Sequence, residues 1–202
     1  PGYGVLTDEI LTQNPKKLIL IEKDKLLSEL LKKKYRNEKN VSIINYDILF
    51  FDLNKLKNFK IISNLPYNIS TKIILYLFKY NKNILEMILM VQKEVAQKFD
   101  YNLHKMNKYK FYTRLVSDYN ICFDVSSQVF IPKPKVRSSI VKFKFNKKLE
   151  SLEKAEYFSK LIFRNVRKKI SNNIRIKKNH HLSNKRINEL SIKELLTIYD
   201  LF

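Results

Sequence analysis

Glycine is nearly missing from this chain, with 2 in 202 residues, and tryptophan is absent. There is 1 cysteine, Cys122, so no internal disulfide can form. Stability must come from burial and hydrogen bonding. Cys122 lies in the apolar run Tyr119-Asn120-Ile121-Cys122-Phe123, which reads as a strand, so a buried and inert thiol is expected. No apolar run approaches the roughly 20 residues of a membrane-crossing helix. No signal-peptide pattern opens the chain. These absences point to the cytoplasm or an organelle matrix. Acidic residues are also scarce, 19 against 40 Lys plus Arg, for a net charge of +21. An excess of that size favours a polyanionic partner, RNA before membrane. Base composition contributes as well: the chain is rich in Lys, Asn, Ile, Phe and Tyr, as an AT-rich genome would make it.

The 45% of hydrophobic residues excludes wholesale disorder. The length allows one full domain and a small second one. Leu18-Ile19-Leu20-Ile21, ending in Glu22, reads as a buried parallel strand. From Asp24 to Lys34, Leu26, Leu27, Leu30 and Leu31 have helical spacing. Strands are expected from Val41 to Asn45, Phe59 to Ser63 and Ile84 to Val91. A helix capped by Ser70 would carry Ile73, Ile74, Leu77 and Phe78 on one face, and Lys93 to Phe99 is a second. This alternation predicts a parallel sheet with helices on both faces.

The pattern then changes. Residues 100–110, with His104, read as an exposed loop, and 111–117 as a helix. Tyr119 to Ser126 and Ser138 to Phe145 are expected to close the sheet as an antiparallel pair. After Asn146 no strand is expected. Leu152 to Lys169 has helical periodicity with a basic end, and Ser191 to Glu194 has capping-box spacing. The domain boundary is placed at 146, with a small all-α domain over 147–202.

Both glycines sit together, at Gly2 and Gly4, just ahead of Thr7, a plausible helix cap. Glycines at such a place let backbone approach a ligand closely. Glu22 stands at a strand end, where doubly wound nucleotide folds place an acceptor for ribose hydroxyls. Asp47, after the next strand, suits acceptance from the amine of a cofactor adenine. An ordinary helix-start acid and an ordinary turn aspartate are the plainer readings of these two.

Asn64-Leu65-Pro66-Tyr67 ends the third recognisable strand and is the most informative segment. An exocyclic amine on a base is a poor nucleophile, because its lone pair is delocalised into the ring. Acceptors that hold its N–H groups let the lone pair turn to an electrophile. The Asn64 side-chain oxygen and the Leu65 carbonyl can do this. Pro66 removes a donor and fixes the turn. Tyr67 can stack on the base. Phe130, in Phe130-Ile131-Pro132-Lys133-Pro134, can cover its other face or simply pack a rigid linker into the core. Arg164, Arg167, Lys168 and Lys169, followed by Arg175, Lys177 and Lys178, accompany apolar Leu161, Ile162, Phe163 and Val166, so one side can pack while the other meets phosphate. His180-His181 has no Cys or acidic ligand at metal spacing, and no metal is expected.

These residues resemble the ribosomal small-subunit RNA adenine dimethyltransferases over nearly the whole chain. The resemblance rests on the glycine loop through Thr7, Ile21-Glu22, Asp47, Asn64 to Ser70, Gln92-Lys93-Glu94-Val95 and Phe130 to Val136. Phe163 to Lys169 resembles the family's basic C-terminal helix less closely. The resemblance implies a Rossmann-like domain that uses S-adenosylmethionine and a small helical C-terminal domain. A monomer without a membrane partner is expected. It implies that two adjacent adenines near the 3′ end of small-subunit ribosomal RNA are dimethylated in ribosome biogenesis. Gly2, Gly4, Glu22 and Asp47 would bind cofactor, with Glu22 on its ribose and Asp47 on its adenine. Asn64 would sit between cofactor and target amine, and Tyr67 and Phe130 would sandwich the base.

Family members also have a basic arm, a first strand and the first glycine of the loop before the position of Pro1. The chain is therefore read as a fragment whose cofactor pocket is incomplete. Two other readings compete. One is a non-catalytic RNA- or DNA-binding relative, in ribosome assembly or organellar transcription. The other is a macrolide-resistance methyltransferase of large-subunit RNA, a sister family that usually has Ile where this chain has Leu65.

Overall fold

The computed structural model describes residues 1–103, 105–129, 136–146, 149, 151–174 and 180–202. His104, the segment 130–135 with Phe130, and Arg175, Lys177 and Lys178 lie outside the described residues. The chain opens on a tight loop in which Gly2 and Gly4 both have positive φ, 59° and 84°. Gly4 ends the loop as the N-cap of α1 (Val5–Leu11). Thr7 is therefore no cap; it lies buried inside the helix.

The apolar run β1 (Leu18–Glu22) pairs in parallel with β2 (Val41–Asn45), from Leu18 opposite Val41 to Glu22 opposite Asn45. Between them runs α2 (Lys25–Lys34), capped by Asp24, whose carboxylate accepts from the Leu27 N–H at 2.9 Å. Lysines 32–34 fill its last turn, where the helix dipole favours cations. Leu31 is fully buried and packs with Leu20 and Tyr35. The expected stripe of four leucines is narrower than predicted. Leu26 is 81% exposed and Leu30 is also exposed. At about 100° per residue, Leu26 lies some 140° around the helix from Leu31, beyond the reach of a two-stranded sheet.

The second sheet begins with β3 (Phe59–Asn64), followed by α3 (Ser70–Phe78) and β4 (Ile84–Gln92), which pairs in parallel with β3. Two short helices follow, α4 (Lys93–Phe99) and α5 (Lys108–Val116). Then β5 (Asp118–Val125) and β6 (Ser138–Lys144) complete the order β3-β4-β6-β5, with both new ladders antiparallel. The antiparallel closure matches the sequence expectation. The parallel strands, however, form two separate ladders rather than one continuous sheet. Among the described residues, β1 and β3 each pair on one side only, and Ile62 of β3 is exposed.

The core sits on β4. Ile84, Met87, Leu89 and Val91 are buried, as are Ile73, Ile74, Leu77 and Phe78 of α3. Phe143 of β6 meets Phe78, Phe99 and Tyr119 with ring centroids 5.6, 5.9 and 4.8 Å apart. Edge-on and tilted ring pairs of this kind are favourable beyond their buried area. Ser70 is not the cap of α3; Ile69 holds that position, and the Ser70 hydroxyl donates to the Tyr67 carbonyl at 3.2 Å. Cys122 is exposed, against expectation. A register shift between Ile121 and Phe123 inserts it as an extra residue, which breaks the alternation and leaves Cys122 and Phe123 both outside.

After residue 146 the described chain is helical: α6 (Leu152–Ile162), three 3-10 turns and α7 (Ile192–Leu201). Ser151 caps α6, and Ser191 with Glu194 forms the expected capping box on α7. The helix predicted to run to Lys169 stops at Ile162. Ile170 is fully buried and its N–H donates to the Lys185 carbonyl at 2.9 Å, beside a bridge between Lys169 and Arg186. The chain leaves helical geometry to make that contact. Phe111 of α5 packs against Phe158 of α6 and Tyr199 of α7 at 5.2 and 5.4 Å, so one hydrophobic core continues across residue 146. No helix among the described residues is long and apolar enough to cross a membrane.

Candidate functional site

Parallel strands present their ligands at their carboxyl ends, and there the predicted residues are found. Glu22 ends β1 with its carboxylate largely buried. The Gly2 N–H donates to one oxygen at 3.1 Å and the Asp24 N–H to the other at 2.9 Å. Burial pushes this carboxyl up. The Asp24 N–H and then the Gly2 N–H draw it the other way, below its ordinary value. Each oxygen keeps a further lone pair for a hydroxyl donor.

Asp47 caps the 3-10 turn 48–50. It accepts from the Leu49 N–H at 3.0 Å, and its other oxygen pairs with the Lys23 ammonium at 2.9 Å. The Leu49 N–H and then Lys23 lower its pKa. Lys23 is largely exposed, so a ligand amine can displace it at little cost. Asn45 was missed in the sequence. Its amide donates to the carbonyls of Glu22 and Lys23 at 2.9 and 3.1 Å, and so stitches together the two strand ends that carry the acids.

The two glycines are needed for different reasons. A Cβ on Gly2 would meet nothing within 4 Å, so this side of the loop is open to a ligand. A Cβ on Gly4 would lie 2.3 Å from the Tyr35 hydroxyl oxygen. That hydroxyl is within 2.9 Å of the Gly4 carbonyl and 2.7 Å of the Asp8 carboxylate, which share its one proton. Lys34 donates to Asp8 at 2.6 Å and to the Tyr3 carbonyl at 3.2 Å. The end of α2 thus clasps the glycine loop, a role that the sequence did not reveal for Lys34, Tyr35 or Asp8. With Glu22 at the end of β1, Asp47 on the turn that follows β2, and an open glycine backbone, these residues fit a nucleoside with ribose hydroxyls and an exocyclic amine.

The second group of residues follows β3. Asn64 is exposed at the strand end, while Leu65 is buried and its N–H donates to the Met90 carbonyl at 3.1 Å. Pro66 is exposed, and its carbonyl accepts from the Ile69 N–H at 3.2 Å. Among the described residues, neither the Asn64 side chain nor the Leu65 carbonyl has a hydrogen-bond partner. Both acceptors are open. Tyr67 is half-buried and its hydroxyl is 2.5 Å from Ser138 Oγ. Nearby, Lys93 pairs with Asp124 at 2.5 Å, and the Ser139 hydroxyl donates to the same carboxylate at 2.7 Å.

Within the helical region, Arg164, Arg167, Lys168 and Lys169 are all exposed, on turns after α6 rather than on a regular helix. His180 and His181 stack on each other at 4.5 Å. Among the described residues, no cluster of three or more His, Cys, Asp or Glu could hold a metal.

The family model of ribosomal RNA adenine dimethylase matches residues 1–202. The chain belongs to the ribosomal RNA adenine dimethylase family. It is 42% identical over 182 residues to a ribosomal RNA small subunit methyltransferase A of Malacoplasma penetrans, covering 87% of this chain and 65% of that protein. It is 38% identical over 206 residues to the protein of the same name from a Hydrogenobaculum species, covering 99% and 79%. A solved dimethyladenosine transferase from Plasmodium falciparum superposes with a TM-score of 0.79 at 21% identity, over 98% of this chain and 85% of that one. That likeness establishes the Rossmann-like methyltransferase fold. The chain spans less than two thirds of the Malacoplasma protein's length.

Proposed function

We propose that the protein transfers methyl groups from S-adenosylmethionine to the exocyclic amines of two adjacent adenines near the 3′ end of small-subunit ribosomal RNA. It would do so during ribosome biogenesis, in the cytoplasm or an organelle matrix. One observation carries this reading: the open Asn64 and Leu65 acceptors at the end of β3, followed by a tethered Tyr67. The family's name and the relatives' name support the choice of adenine and of the small subunit.

The cofactor, when bound, supplies a methyl carbon made electrophilic by a sulfonium. Glu22 accepts from its ribose hydroxyls and Asp47 from its adenine amine. Gly2 leaves the backbone open beside it. Asn64 Oδ1 and the Leu65 carbonyl accept from the two N–H bonds of the target amine and draw its lone pair out of conjugation. The amine takes the methyl as the carbon–sulfur bond breaks and S-adenosylhomocysteine leaves; the resulting ammonium is acidic enough to lose its proton to water, so no strong general base is required. Fixed acceptors of this kind cost no reorganisation at the moment of reaction. Tyr67 stacks on the base and Phe130 covers its other face. Arg164, Arg167, Lys168 and Lys169 hold the RNA backbone.

The test is label transfer from S-adenosylmethionine to small subunits lacking the modification, followed by nuclease digestion and mass spectrometry. Dimethyladenosine in small-subunit RNA is expected. Label on cytosine, on protein or only on large-subunit RNA overturns the proposal.

A further inference from the structure

We propose that Ser138 is a positioning residue for the base-stacking ring of Tyr67, an inference that rests on the adenine reading above. The Tyr67 hydroxyl and Ser138 Oγ are 2.5 Å apart, although 71 residues separate them in sequence. Ser138 is fully buried. It opens β6 and is held on both sides, opposite Gln92 of β4 and Val125 of β5. A short hydrogen bond to a group fixed in two ladders is a rigid anchor.

The other end of Tyr67 is fixed as well. The Leu65 N–H bonds β4, and the Tyr67 carbonyl accepts from Ser70 at the start of α3. With its backbone and its phenol both held, the ring of Tyr67 has lost rotation about its side-chain bonds before any base arrives. A phenol already occupied by Ser138 is not the group that reads the base. Its face remains for stacking. The hydroxyl of this tyrosine therefore acts as a tether, and Ser138 sets the plane against which an adenine rests. Pre-ordering of this kind removes an entropic cost that would otherwise fall on the reactive complex.

The tether has a thermodynamic signature. Tyr67→Phe and Ser138→Ala each delete one hydroxyl and add no atom to the core, so both are expected to fold. Loss of one neutral hydrogen bond should lower the single-turnover rate by about fivefold in each variant. The double variant should be no slower than either single one, because one bond can be lost only once. The experiment uses the protein expressed from its natural reading frame. It measures single-turnover methyl transfer per folded molecule, RNA affinity, and the fluorescence of 2-aminopurine placed at the target position.

The expected result is equal and non-additive loss of rate in the two single variants. Fluorescence quenching should weaken in parallel and RNA affinity should be unchanged. A purely structural serine would lower stability without moving the quenching of the folded fraction. Wild-type behaviour of Ser138→Ala overturns the inference and leaves the adenine reading intact, as does a double variant slowed by the product of the two single effects. A wild-type protein that neither quenches 2-aminopurine nor methylates adenine overturns both.

Discussion

The Tyr35 hydroxyl oxygen lies 2.9 Å from the carbonyl oxygen of Gly4, and any Cβ at position 4 would come within 2.3 Å of it. Gly4 also has a φ of 84°, in the left-handed region. Two costs therefore combine in Gly4→Ala. The backbone strain is about 1–2 kcal/mol, and Tyr35 must move off the loop as well. Urea unfolding should show a loss of about 2 kcal/mol or more. Gly2→Ala meets open space and should carry the strain alone. Equal losses at the two positions would mean that Tyr35 does not clamp the loop.

Asn64→Ala should separate chemistry from binding. Removing a preorganised acceptor at the reacting nitrogen is expected to lower the single-turnover rate on the order of 10²-fold while RNA affinity stays. Glu22→Ala should instead raise the cofactor dissociation constant measured by calorimetry, because its carboxylate also orders Gly2 and Asp24 at the loop. A near-wild-type rate for Asn64→Ala would reduce that residue to a strand-end turn.

Both predictions concern residues that were legible in the sequence, and the reason is local. Glu22, Asp47 and Asn64 stand at the ends of strands with short apolar runs, so period and position reveal them together. Tyr35, Asn45 and Ser138 were not legible. Each acts through a partner on another element: Gly4, Glu22 and Tyr67. Period carries no information about such pairs. Cys122 was misplaced for a related reason, since one inserted residue in β5 reverses the alternation on which strand burial is judged. The end of α6 was misplaced because Ile170 bonds Lys185, a contact that lies beyond local helical spacing.

Glu194 gives a pH test. Lys185, at 2.6 Å, and the Ser191 N–H, at 2.8 Å, lower its pKa from 4.5 to about 2. A carboxyl depressed on folding adds stability that is fully present above its unfolded pKa and is lost as pH falls through the folded one. The window is therefore from about 5 down to 2. Denaturant unfolding should show the wild type losing more stability across it than Glu194→Gln, which keeps the shape of the α7 cap without the charge. Parallel curves for the two proteins would show that the Lys185 pair adds nothing in solution.

The last prediction concerns the turns that follow α6. A net charge of +21 can be genomic drift or an RNA footprint, and salt separates the two. Arg164, Arg167, Lys168 and Lys169 are all exposed within six residues, and they sit between Ile162 and Ile170, both fully buried. Anchored at both ends by core residues, this stretch presents its cations from a fixed platform. Lys32 and Lys33, in contrast, lie in the last turn of α2, where Lys32 already pairs with Glu29 at 2.8 Å. If the first group touches phosphates, each Gln substitution there should lower the slope of log affinity against log salt by about 0.7 to 0.9. Substitutions at Lys32 and Lys33 should change it less. The measurement is binding of small-subunit RNA over a salt series with each single variant. Equal shifts in both regions, or none in either, would assign the charge after α6 to composition. A clear excess is expected there, because counterion release needs cations free to meet the RNA, and Lys32 is already engaged by Glu29.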